Sequence, residues 1–235
     1  MAPARSRFLL LGVALLVLLA APGTARSTKT APFPAAGELT VPRALVRAQP
    51  DPRARIVRRL SQFRRGYRIR VVLALGARRS ADGVSWYRLS LPGRPNGERG
   101  WVRAEDVEVH RVPNRITIFR GARRLEVRRI SDRRLLMRTP IAVGKPGAET
   151  PLGSNFYVQW RFVPTDAFYG TFALETSAYA PVSDWPGGGI VGIHGTNAPH
   201  LLGQAVSHGC VRLPNANATK LRRLAPLGTP IDIVP

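Results

Sequence analysis

The chain has 235 residues, and its 44% hydrophobic fraction supplies enough apolar material for a folded core. Its 22 glycines and 21 prolines favour short strands and loops over a helical protein. A single cysteine excludes an intramolecular disulfide framework. The formal net charge is +22, but residues 139–235 hold six basic and five acidic side chains, so the basic field lies N-terminal to them. Such a field attracts polyanions.

Residues 1–25 have the pattern of a secretory signal peptide. Two arginines precede an apolar run at 8–21, and small residues stand at positions −3 and −1 of a cut after Ala25. The run is shorter than the roughly 20 residues that span a bilayer. We therefore expect export to the cell wall or periplasmic space, with an uncleaved membrane anchor as the alternative. In that compartment a wall polymer is a better polyanionic partner than nucleic acid.

Residues 26–42 are rich in Pro and Ala, which predicts a linker. Residues 43–111 then contain short strand-like runs, such as 68–75 and 85–91, between turn signals. Strands of this length and spacing predict a small barrel. Its segments at 45–50 and 97–102 resemble bacterial SH3-like domains, which implies a wall-binding or targeting module. A packing domain without a ligand is the alternative.

A second domain is predicted over residues 113–235, after a boundary at 112–114. The alternating run at 115–119 predicts a strand and 228–234 a closing strand, with a short helix at 216–224 capped by Asn215 or Asn217. Residues 161–190 are aromatic and Gly-rich, which predicts a long loop that closes as a lid over the substrate, with a poorly packed crossing as the alternative. The four histidines lack the spacing of a metal site.

The most informative stretch is Ser-His-Gly-Cys-Val-Arg at 207–212, which holds the only cysteine. Sixteen residues before Cys210, His194 stands in Ile-His-Gly-Thr. A thiol becomes an effective nucleophile when a base takes its proton or a positive field lowers its pKa. Gly209 can adopt backbone angles that free its amide and that of Cys210 to form an oxyanion hole. The alternative is a small buried hydrophobe at Cys210.

Together, these two motifs resemble the signature of L,D-transpeptidase (YkuD-like) catalytic domains. The resemblance extends over residues 114–235 and includes the segments 142–144, 150–153 and 228–233. It implies a mostly β fold, a sandwich or barrel-like sheet with a short helix.

The resemblance assigns a role to each residue of the two motifs. Cys210 would be the nucleophile and His194 the base that deprotonates it. The carbonyl of Gly195 would orient that imidazole, so no carboxylate is required.

Three further residues are substrate-binding candidates by the same resemblance. His208 would shape the site and hydrogen-bond substrate or backbone, or have a peripheral structural role. Ser207 belongs to the turn. Arg212 would meet a substrate carboxylate, for which its planar guanidinium is suited; an exposed strand arginine is the alternative.

The implied function is formation of 3→3 cross-links in peptidoglycan through a cysteine thioester, with stem peptides as partners. No metal or organic cofactor would be needed, and carbapenems would acylate the cysteine. Three alternatives remain at this stage: an L,D-carboxypeptidase, a cysteine peptidase of the wall, and a non-catalytic wall-binding protein.

Overall fold

The computed structural model describes residues 32–182 and 188–235, so the predicted signal peptide at 1–25 lies outside the described residues. Their elements are strands, short 3-10 helices and one α-helix, which confirms the mostly β prediction. No helix in the described ranges combines the length and apolar character needed to span a bilayer.

The N-terminal half forms one seven-stranded sheet in the order β3-β2-β6-β5-β4-β1-β7. Its strands are β1 (Ala35–Leu39), β2 (Arg43–Arg47), β3 (Ile56–Ser61), β4 (Val71–Arg79), β5 (Ser85–Ser90), β6 (Arg99–Arg103) and β7 (Val107–Arg111). Alternation in β2 shows how the sequence builds it, since Ala44 and Val46 are fully buried while Arg43 and Leu45 face solvent.

The linker prediction for 26–42 is wrong for β1, which lies between β4 and β7 and is hydrogen-bonded to a neighbouring strand on both sides. The residues that suggested low complexity are small because the strand is tightly enclosed. Ala35 and Ala36 are fully buried, and a Cβ on Gly37 would lie 2.8 Å from the Glu108 carbonyl oxygen. Composition alone could not show this packing.

The C-terminal half forms an eight-stranded sheet in the order β10-β9-β8-β17-β12-β13-β14-β16, with a two-stranded β11–β15 pair beside it. Its elements are β8 (Asn114–Phe119), β9 (Arg124–Arg129), β10 (Leu135–Pro140), β11 (Val143–Gly144), β12 (Gly153–Phe162), β13 (Ala173–Tyr179), β14 (Ile190–His194), β15 (Ala205–Ser207), β16 (Val211–Arg212), α1 (Asn215–Leu224) and β17 (Pro230–Val234). The predicted closing strand is β17, which pairs with β8 and β12 in the interior of the sheet.

The prediction of one long loop at 161–190 is wrong. Strand β12 continues to Phe162, a 3-10 helix covers Ala167–Tyr169, and β13 crosses the same stretch. Within β13, Leu174, Thr176 and Ser177 are buried, because this strand is covered on both faces. Residues 183–187 of the stretch lie outside the described residues.

We expect Gly37→Ala to destabilise the protein by about 1–3 kcal/mol, because the added methyl group has no space in the sheet. Gly76→Ala is the matched control, since a Cβ at this β4 position meets nothing within 4 Å. Urea unfolding followed by tryptophan fluorescence measures both. Equal midpoints for the two variants would contradict the placement of β1.

Candidate active site

The two candidate catalytic residues meet because β14 and β16 pair in parallel, with Ile193 opposite Val211 and His194 opposite Arg212. Cys210 precedes β16 and therefore lies beside β14, where the Gly192 amide donates a hydrogen bond to its Sγ at 3.3 Å. Strand pairing thus converts a separation of sixteen residues into spatial proximity.

The imidazole of His194 is buried and held in one orientation. Its Nδ1 lies 2.6 Å from the carbonyl oxygen of Gly195, so Nδ1 carries the proton that is donated there. This contact has the geometry expected from the orienting carbonyl. Nε2 is then the basic nitrogen, and it has no hydrogen-bond partner among the residues described.

Asn215 holds the turn that follows His194. Its Oδ1 accepts hydrogen bonds from the amides of Thr196 at 3.0 Å and Thr171 at 3.3 Å, and its Nδ2 donates to the Thr196 carbonyl. A Cβ on Gly195 would lie 2.1 Å from Oδ1, so glycine is needed there. The capping prediction is wrong for Asn215, because this side chain is committed to the active-site turn.

The prediction that Asn217 caps α1 is also wrong. Its Nδ2 donates to Thr139 Oγ1 at 2.6 Å, and the cap position is occupied by Pro214, which has no side-chain hydrogen-bonding group. The helix nevertheless begins within one residue of its predicted start.

The turn that carries Cys210 is fixed from inside. Ser207 Oγ donates to the Cys210 carbonyl at 2.6 Å and accepts from the Gly209 amide at 3.1 Å. Thr150 Oγ1 donates to the Gly209 carbonyl at 2.9 Å and accepts from the Gly144 amide. The Gly209 amide is therefore not the free oxyanion donor that the sequence predicted, and Ser207 is a structural member of the turn.

Burial sets the resting protonation of the candidate catalytic pair. It lowers the pKa of His194 to about 4, against a smaller opposing effect of the Gly195 hydrogen bond. It also raises the pKa of the Cys210 thiol, although the Gly192 amide and the Arg212 charge act in the opposite direction. At neutral pH the resting site therefore holds a neutral imidazole and a neutral thiol.

The space between the two groups is kept open by Gly192. A Cβ on this residue would lie 3.5 Å from Cys210 Sγ and 3.6 Å from His194 Cδ2. Both groups therefore border the same small volume, which a side chain at position 192 would fill.

Arg212 places a positive charge in this cleft. Its backbone exchanges two 2.9 Å hydrogen bonds with Ala142, and its guanidinium carbon lies 4.7 Å from the ring centre of Phe168. The residue is 9% exposed, and its Nε has no partner within the described ranges. The alternative of an ordinary exposed strand arginine is therefore wrong.

Two aromatic residues that no sequence motif indicated cover the site. Tyr169 lies 5.0 Å from the His194 ring at an interplanar angle of 67°, and Phe168 lies 6.2 Å from it. They share the lining of the cleft with the motif residues His194, Ser207, His208, Cys210 and Arg212. Their stretch was identified as functional, but nothing in a local aromatic pattern indicates which ring reaches the histidine.

Comparison with known proteins identifies the family of the C-terminal half. Residues 113–233 match the family model of the YkuD L,D-transpeptidase catalytic domain. A Bacillus licheniformis protein named as an L,D-transpeptidase YkuD is 36% identical over 125 residues, which cover 53% of this chain and 67% of that protein. The YkuD of Bacillus subtilis strain 168 is 32% identical over 149 residues, covering 61% and 83%.

Among solved structures, the L,D-transpeptidase from Mycobacterium smegmatis covers 65% of this chain and 91% of its own, at 14% identity and a TM-score of 0.43. The match to the family model and the two Bacillus relatives decide the assignment. The chain belongs to the L,D-transpeptidase family, and its C-terminal half is the catalytic domain.

Proposed function

We propose that the protein cross-links peptidoglycan stem peptides, with Cys210 as nucleophile and His194 as base. One observation carries the assignment to residues: the only thiol of the chain borders the same small volume as a buried imidazole whose Nε2 is unpartnered in the described structure. A nucleophile and a base oriented by a third group form the arrangement required for acyl transfer.

In the first half-reaction, Cys210 Sγ attacks the carbonyl carbon of an L-to-D peptide bond in a tetrapeptide stem. Its proton passes to His194 Nε2, and then to the nitrogen of the departing D-residue as the C–N bond breaks. A thioester remains on Cys210. Because both groups are neutral at rest, proton transfer accompanies attack and no preformed ion pair is consumed.

In the second half-reaction, a side-chain amine of another stem, typically that of diaminopimelate, attacks the thioester. His194 accepts the amine proton, Sγ leaves as the thiol, and a 3→3 cross-link forms. Water in place of the amine would give an L,D-carboxypeptidase product through the same intermediate.

Arg212 is the proposed contact for a substrate carboxylate. Its guanidinium lies in the cleft with Phe168 on one face, and its Nε has no partner in the described residues. A planar donor of this kind suits a carboxylate. His208 lines the same cleft and is proposed to contact substrate.

Carbapenems are proposed inhibitors, because the carbonyl of a β-lactam would acylate the proposed nucleophile Cys210 as the carbonyl of a stem peptide does. The seven-stranded domain, which we propose to be SH3-like, would bring this catalytic site to the wall. Export through residues 1–25 remains part of the proposal.

Removal of either proposed catalytic group should strongly lower the rate of cross-linking. With a purified tetrapeptide stem and a labelled amine, Cys210→Ala should lower product formation by more than about 10³-fold. His194→Gln should lower it by about 10²–10⁴-fold. Mass spectrometry of the products provides the measurement.

His200→Gln is the matched control, because His200 is exposed and lies outside the cleft lining. We expect it to cross-link at the wild-type rate. Full activity of Cys210→Ala would exclude the proposed mechanism, and cleavage without any 3→3 dimer would favour the carboxypeptidase or peptidase alternatives.

The pKa shifts predict an unusual pH dependence. Only the thiolate reacts with iodoacetamide, so a raised Cys210 pKa should make alkylation accelerate about tenfold per unit between about pH 7 and 9. The neutral base is lost only as the pH falls through about 4, so the acid limb of kcat/KM should lie near pH 4 and not near that of a free histidine. An alkylation rate that does not rise between about pH 7 and 9 would show a preformed thiolate and contradict this prediction.

We propose that the basic N-terminal half binds the cell wall through one face of its sheet. Arg47 and Arg88 both stand opposite Trp101 in adjacent strands, and Arg59 stands opposite Leu45. Residues directly opposite one another project from the same face, so this face combines cations with an aromatic ring.

We expect the Cys210→Ala protein to bind anionic wall sacculi at low salt and to release them as salt rises, because ionic attraction is screened. Arg59→Ala/Arg88→Ala should weaken sedimentation with sacculi. Lys220→Ala/Arg223→Ala removes the same charge from exposed positions of α1 and should bind like the parent. Binding that is indifferent to salt and to the first pair would contradict the proposal.

A further inference from the structure

The turn that carries Cys210 is supported from outside by Ala180, the residue that follows β13. Ala180 is 1% exposed, and a Cβ on Gly209 would lie 2.4 Å from the Ala180 Cβ. Gly209 has a φ of 111°, a backbone conformation that favours glycine. Gly209, which precedes the proposed nucleophile, therefore packs directly against Ala180. A displacement of Ala180 would displace Cys210.

The position of Ala180 is set by a residue of the N-terminal domain. Arg94, in the segment between β5 and β6, donates from Nη2 to the carbonyls of Ala180 at 2.6 Å and Val182 at 2.9 Å. Its Nη1 donates to the Gly188 carbonyl at 2.9 Å. Its guanidinium carbon also lies 4.9 Å from the ring centre of Tyr179. One guanidinium thus ties together three carbonyls beside the catalytic turn.

Asn96 makes a second pair of hydrogen bonds to the same segment, with the donor and acceptor pattern of a neighbouring β-strand. Its Oδ1 accepts from the Tyr179 amide at 3.0 Å, and its Nδ2 donates to the Tyr179 carbonyl at 2.7 Å. Gly189 makes room for the arrangement, since a Cβ there would lie 2.3 Å from Arg94 Nη2. Two side chains and one glycine therefore shape this contact, which is more specific than general packing between domains.

A second contact reaches the other side of the site through β13. Arg64 and Arg68 form ion pairs with Glu175. Glu175 stands opposite Gly192 in β14, and the Gly192 amide donates to Cys210 Sγ. Both of these contacts therefore end on β13 or on residues close to its end.

We propose that the N-terminal domain positions the catalytic cysteine, with Arg94 as the principal positioning residue acting through Ala180 and Gly209. The proposal rests on Cys210 being the nucleophile of the proposed function. It assigns to the first domain a part in catalysis that is separate from wall binding. Arg94 does not line the cleft, so its loss changes the geometry of the nucleophile and leaves substrate contacts in place.

The test compares Arg94→Ala and Arg94→Lys with Arg99→Ala in the full chain. Arg99 is the matched control, an exposed arginine of the same domain in β6. Three quantities are measured: kcat and KM for cross-linking, the rate of Cys210 alkylation by iodoacetamide, and the thermal midpoint.

Arg94→Ala should lower kcat by about 10- to 100-fold with KM unchanged, the scale expected for a small displacement of a reacting group. Alkylation of Cys210 should change in the same variant while the protein remains folded. Arg94→Lys keeps the charge but offers fewer hydrogen-bond donors, so it should retain part of the activity that Arg94→Ala loses. Arg99→Ala should match wild type in all three measurements.

Wild-type kcat and alkylation in a folded Arg94→Ala protein would overturn the proposal. If that variant does not fold, Asn96→Ala decides, because it removes only the two contacts with Tyr179. A loss of kcat at unchanged KM supports positioning, and a wild-type kcat overturns it. Cys210→Ala is assayed in parallel: activity there contradicts the proposed function, whereas its inactivity beside a fully active Arg94→Ala contradicts the positioning role alone.

Discussion

The parallel pairing of β14 with β16 is the constraint on which the site depends. Neither strand carries both catalytic groups, so the distance between imidazole and thiol is only as well defined as this short pairing. The surrounding polar contacts hold it in place. Asn215 fixes the turn after β14, and Thr150 fixes the turn before β16. The geometry of the candidate catalytic pair therefore depends on these neighbouring residues.

Burial gives this arrangement its chemical character. A buried neutral imidazole and a buried neutral thiol avoid the large cost of two desolvated charges. Arg212 adds a positive charge that opposes protonation of His194 and favours a Cys210 thiolate. The candidate catalytic pair is therefore uncharged at rest, and in the proposed mechanism the leaving nitrogen receives the proton that His194 takes from Cys210. In the proposed account, the strongly basic N-terminal half attracts the wall and supports the site, and the acyl-transfer chemistry takes place in the nearly neutral half.

The features that sequence could predict were those with a local signature. The two motifs identified Cys210 and His194 as neighbours, and α1 and β17 lie close to their predicted bounds. Strand β1 was missed because small residues in an enclosed strand have the composition of a linker. The Gly209 amide was predicted to be a free oxyanion donor. Its hydrogen bond to Ser207 forms only in the folded turn and has no signature in the sequence. Arg94 was missed because its carbonyl partners lie 86 to 94 residues away.

In the proposed mechanism, a single thioester on Cys210 connects cleavage of one stem to attack by another. Rapid acid quenching of the enzyme with a tetrapeptide stem alone, followed by proteolysis and mass mapping, tests it most directly. We expect the acyl group on the peptide that contains Cys210. It should disappear when the acceptor amine is added before the quench. An acyl group on another residue, or one that persists during cross-linking, would contradict the account.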